Sequence, residues 1–144
     1  RKPSIHKKFK ISNAAGTAEL LLRKKLFEEV ANKYNENLTI ITAGKIPPNP
    51  SEMLASRAMT AFIEEMKKEF KYIILDTPPL QAVTDAQVLS TKADGVLLVV
   101  RAGSTKKEMV LNSVDLINKV HGKVIGTVLN GVENKKNNYY YYGE

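Results

Sequence analysis

One carboxylate stands where chemistry is expected. Asp76 closes the apolar run Tyr72-Ile73-Ile74-Leu75 and opens the turn Thr77-Pro78-Pro79. In an open α/β sheet, ligands bind beyond the carboxyl ends of the strands. An acidic residue there is placed to hold Mg²⁺ against a nucleotide phosphate, directly or through water. Asp also ends strands because it favours turns, and the residues alone leave both roles open. Asn130 closes another apolar run at the same expected edge. Ser51, Glu52 and Asp85 are polar groups near helix starts, where capping and first-turn charge explain them without a ligand. His121 falls at a helix end, where it caps carbonyls. Four adjacent tyrosines, Tyr139, Tyr140, Tyr141 and Tyr142, offer a sticky aromatic patch, a stacking surface or modification sites.

The elements that must position these residues alternate between strand and helix. Thr17 with Leu20, Leu21 and Leu22 opens a short helix, and residues 26–34 form a second, with Phe27, Val30 and Ala31 at helical spacing. Residues 37–44 read as a buried strand stopped by Gly44. Pro47, Pro48 and Pro50 force an extended loop. Asn49 then caps a helix, with Pro50 at its first position and Glu52 three residues after the cap. Leu54, Ala58, Phe62, Met66 and Phe70 give that helix one buried stripe, and Glu64 with Lys68 an exposed pair. Residues 72–75 follow as a strand parallel to the previous one, because a strand–helix–strand unit joins parallel strands.

Thr84 with Gln87 starts the next helix, and Thr105 with Glu108 the one after. Between them lie the five consecutive apolar residues Val96-Leu97-Leu98-Val99-Val100. A strand apolar on both faces belongs inside a parallel sheet covered on each side. Val110, Val114, Ile117 and Val120 mark the core face of the third helix, His121-Gly122 ends it, and residues 123–130 form the fourth strand. The expected fold is α/β: a three-layer, mainly parallel sheet with helices on both faces. Residues 1–132 make one domain, and residues 133–144, which lack apolar periodicity, a mobile tail.

Composition sets the outer limits. The chain has 144 residues, enough for one domain, and 43% of them are hydrophobic, enough for a core. No apolar run approaches the ~18 residues of a membrane-spanning helix, and no apolar segment of the signal-peptide type follows the basic N-terminus. The chain has no cysteine, which rules out disulfides and thiolate metal sites and fits a reducing compartment. Net charge is +7, and Arg1, Lys2, Lys7, Lys8 and Lys10 crowd the first ten residues. Such a cluster meets phosphate, nucleic acid or an anionic membrane, or is simply solvated. Apart from Phe9 no aromatic residue is interleaved with it, so a stacking surface for nucleic acid is not expected.

Three features together carry a resemblance: the strand end Ile74-Leu75-Asp76-Thr77-Pro78-Pro79, the upstream run from Thr42 through Gly44-Lys45-Ile46-Pro47-Pro48-Asn49-Pro50 to Glu52, and the tyrosine cluster. They resemble the bacterial tyrosine kinases of capsule and exopolysaccharide synthesis, which share a P-loop fold with cell-division and plasmid-partition ATPases. The resemblance implies ATP and Mg²⁺ as cofactors. It makes Asp76 a metal-site residue, Arg1 the tail of a second nucleotide motif, and Asn130 an adenine contact. Tyr139, Tyr140, Tyr141 and Tyr142 match the autophosphorylated tail, which enters the site of a neighbouring copy. The implied partners are a membrane adaptor or activator, further copies of the protein and a protein-tyrosine phosphatase, and the implied location is the cytoplasmic face of the membrane through that adaptor. The chain departs from the family's pattern in two motifs. It has no Gly-x-x-x-x-Gly-Lys-[Ser/Thr] motif and no aspartates before Arg1. It is therefore expected to be N-terminally incomplete and inactive alone. A partition-type ATPase switch and a non-catalytic interaction module on the same fold are the competing readings.

Overall fold

The computed structural model describes residues 3–132, and it alternates short helices with strands. Helices α1 (Ile5–Phe9), α2 (Thr17–Leu21) and α3 (Phe27–Val30) lead into strands β1 (Ala31–Asn35) and β2 (Leu38–Ile41). Helices α4 (Pro50–Ala55), α5 (Arg57–Met66) and α6 (Asp85–Ser90) follow. Strand β3 (Val96–Arg101), helix α7 (Lys107–Lys119) and strand β4 (Val124–Asn130) complete the order.

The α/β class holds, and β3 and β4 pair in parallel with α7 between them. The first half differs from expectation. Only four residues of the 26–34 helix are helical. The remainder is β1, an antiparallel partner of β2, with Asn32 opposite Ile40. Pairing with β2 overrides the helical spacing, as tertiary context commonly overrides propensity. Residues 72–75, expected as a strand parallel to the previous one, form no strand and join no sheet among the described residues. Ile73 and Leu75 pack on the core, whereas Tyr72 and Ile74 are 77% and 89% exposed. Strand β3 is likewise covered on one face only: Leu98 is buried, and Leu97 and Val99 are 55% and 67% exposed.

The long helix after Pro50 is two helices. Ser56 has ψ 159°, which no helix continues, and its hydroxyl accepts from the Met59 amide at 3.3 Å to start α5. The break rotates the buried stripe to Met59, Ile63 and Met66. Met59 and Ile63 join Leu21 and Leu89 in the core, with Leu54, Ala58 and Phe62 only partly buried around it. The exposed ion pair on α5 is Glu64 with Lys67, at 2.9 Å, not with Lys68.

Candidate functional site

The parallel ladder sets side by side the carboxyl ends of the two strands it joins. Arg101, the last residue of β3, is the register partner of Asn130, the last residue of β4. Asn130 turns its side chain onto the following backbone, where its Oδ1 accepts from the Gly131 amide at 2.8 Å. Gly131 has φ +70°, which suits glycine, and the turn leaves Arg101 and Asn130 exposed at the strand ends. The sequence reading missed Arg101, although the strand-end rule that singled out Asp76 and Asn130 applies equally to it.

Asp76 is exposed after the apolar run 72–75 and makes no hydrogen bond or ion pair with the described residues. Mg²⁺ typically takes one or two carboxylates, with water and substrate phosphate filling its remaining positions. An exposed, uncommitted carboxylate fits one such ligand. Among the described residues no group of three His, Cys, Asp or Glu is gathered for a complete metal cage. Arg1 and Tyr139 to Tyr142 lie outside the described residues.

Downstream of Asp76 in sequence the chain makes a polar junction, and two expected caps are replaced. Thr84 occupies the cap position of α6, but its hydroxyl donates to Ser51 Oγ at 3.3 Å and not to the helix. Ser51 Oγ in turn donates to Asp85 Oδ1 at 2.7 Å. Asp85 is 3% exposed, so it does more than place charge at the first turn of a helix. Asn49 holds the cap position of α4, yet its amide donates to the Glu52 carboxylate. Thr105 also caps no helix: its hydroxyl accepts from the Arg101 amide at 3.1 Å and closes the turn after β3.

A second polar junction braces the start of the proline loop. Asn13 both donates to the Gly44 carbonyl, at 3.0 Å, and accepts from the Gly44 amide, at 3.1 Å. Glu19 accepts from the amides of Gly16, at 2.9 Å, and Lys45, at 3.3 Å. Burial works against the charge of Glu19. The amides of Gly16, Glu19 itself and Lys45, with the Lys45 ammonium, outweigh it and hold the carboxyl below its ordinary value. Two surface clefts, one against Thr60, Glu64 and Lys92 and one against Gln81, Asp115 and Lys119, include neither Asp76 nor Asn130.

An α/β chain with strand-end polar side chains on a parallel ladder, and Asp-Thr-Pro-Pro after an apolar run, is similar along its whole length to bacterial tyrosine-protein kinases. With the tyrosine-protein kinase YwqD of Bacillus subtilis it is 38% identical over 145 residues, covering 99% of this chain and 61% of YwqD. With the tyrosine-protein kinase Etk of Escherichia coli it is 34% identical over 144 residues, covering 99% of this chain and 20% of Etk. The solved kinase domain of Etk superposes over 100% of this chain and 57% of that domain, with a TM-score of 0.88 at 33% identity. The chimerical protein CapA2B2 superposes over 92% of this chain and 59% of its own length, with a TM-score of 0.86 at 35% identity. The chain thus spans about three fifths of YwqD and of these two structures. No protein-family model matches it.

Proposed function

We propose that this chain is a segment of an ATP-dependent protein-tyrosine kinase that autophosphorylates its tyrosine tail and regulates capsular or exopolysaccharide synthesis. The observation that carries the reading is similarity over essentially the whole chain to proteins named tyrosine-protein kinases. The exposed carboxylate of Asp76 supports it. Phosphoryl transfer needs little covalent help from a protein and rests on positioning and charge neutralisation. Asp76 would hold the Mg²⁺ of Mg·ATP, which would supply shielding of the phosphate charge. Asn130 contacts adenine, and Arg1 belongs to the nucleotide-binding set. Tyr139, Tyr140, Tyr141 and Tyr142 are the acceptors, presented by a neighbouring copy. The phosphate cradle comes from outside this chain. A membrane adaptor activates the enzyme at the cytoplasmic face of the membrane, and a protein-tyrosine phosphatase resets the tail.

Full-length protein incubated with Mg·ATP and its activator should acquire phosphotyrosine at residues 139–142, read by mass spectrometry. Asp76→Asn should lower the rate on the order of a hundred-fold, the usual scale for losing one charge-stabilising group. Tail tyrosines that stay unmodified in an ATP-hydrolysing protein would contradict the kinase reading.

A further inference from the structure

The segment that carries Asp76 has no strand partner among the described residues, so ladder hydrogen bonds there do not fix its carboxylate. Anchors on either side must do so. Upstream, Ile73 and Leu75 pack against the core. Downstream, the Ala82 amide donates to the Pro79 carbonyl at 3.0 Å, and the Gln81 side-chain amide donates to the Met109 carbonyl of α7 at 2.9 Å. The turn then ends at Asp85, whose buried carboxylate takes the Ser51 hydroxyl at 2.7 Å. On the kinase reading above, we propose that Asp85 is a positioning residue for phosphoryl transfer. It acts through Ser51 to hold the 77–84 turn, and with it Asp76, in place.

Three features favour this role over simple packing. A buried carboxylate is costly unless hydrogen bonds compensate it, and a first-turn acid interacts with the helix dipole equally well from the surface. Helices α4 and α6 have six residues each, too few to be stable alone, so side chains must set their mutual position. The bond also ties together two proline-stiffened loops, Pro47-Pro48-Asn49-Pro50 and Thr77-Pro78-Pro79. Prolines fix φ, so these loops transmit a displacement instead of absorbing it. Slackening the Ser51–Asp85 contact therefore moves the Asp76 carboxylate.

The test is the Mg²⁺ requirement of tail phosphorylation by the full-length protein at fixed ATP. Ser51→Ala and Asp85→Asn should each raise the half-saturating Mg²⁺ about ten-fold, the scale seen when the support of a metal ligand is removed. Nucleotide affinity without Mg²⁺ should stay within about two-fold of the parent, because Asn130 is set by β4 and by its bond to the Gly131 amide. Ser51→Thr keeps the hydroxyl and should restore the requirement. An unmoved Mg²⁺ requirement in active Ser51→Ala overturns the proposal, as does a loss of rate that Ser51→Thr fails to rescue. If Asp85→Asn does not fold, the Ser51→Ala and Ser51→Thr pair decides alone. An inactive parent protein sinks the kinase reading and this proposal together, whereas an active parent with unaffected variants sinks the proposal only.

Discussion

Glu19 shows how much local order one carboxylate imposes. Its two oxygens join the entry of α2 to the start of the proline loop, 26 positions away, by taking the amides of Gly16 and Lys45. Gly44 lies against it with φ +74°, and any side chain there would collide with the carboxylate. The folded carboxyl binds its proton more weakly than the ordinary value of 4.5 allows. The unfolded chain therefore takes up more protons below that value, and stability rises with pH through the window. The contribution is complete above about 4.5 and fades as pH falls through the folded value. Glu19→Gln should cost about 1 kcal/mol near neutral pH, and the cost should shrink with acidification. Urea midpoints of both proteins across that range check it, and curves that stay parallel would refute it. Nothing in the sequence singled out this residue. Its partners are backbone amides, which leave no mark on residue identity.

At the scale of elements, the end of α7 is a case where residue type and backbone disagree. His121 adopts φ 59°, and its amide donates to the Asn118 carbonyl at 2.9 Å. Gly122 donates to the Ile117 carbonyl at 2.9 Å, so two orphan carbonyls of the helix end are met by the backbone. The glycine stands one position after the left-handed residue because space is tight there. A Cβ on Gly122 would lie 2.7 Å from both Ile117 Cγ2 and Ser90 Oγ. His121→Gly should therefore stabilise the fold by about 0.5–1 kcal/mol, by removing the steric cost of a side chain at positive φ. A thermal scan should show a rise of a few degrees, and a fall would refute the account. That a helix ends at His121-Gly122 was legible in the sequence, but the division of labour between the two residues was not. Proline made the start of α4 equally plain. The break at Ser56 was hidden, because a serine on a helix surface and a serine capping a new helix interrupt an apolar pattern alike.

Across the whole molecule, legibility followed the range of the interaction. The β3–β4 ladder was readable because two apolar runs flank one amphipathic helix. Residues 72–75 were expected as a strand but form none among the described residues, because no local pattern names the neighbour a strand needs. Strand-end chemistry gave Asp76 and Asn130 as residue types, while the Arg101–Asn130 pairing needed the register. The sequence contains no Gly-x-x-x-x-Gly-Lys-[Ser/Thr], so the 144-residue chain alone is expected to bind ATP more weakly than micromolar. Calorimetric titration giving a micromolar constant would contradict this. The one-sided cover of β3 has a consequence of another kind. Leu97 and Val99 stand exposed on a two-stranded sheet whose outer edges pair with nothing among the described residues. Open edges with apolar flanks are templates for strand addition. A free copy of this chain can satisfy those edges with another copy, and its net charge of +7 opposes the encounter. Salt screens that repulsion, so ionic strength decides whether the isolated segment stays dispersed or grows into aggregates.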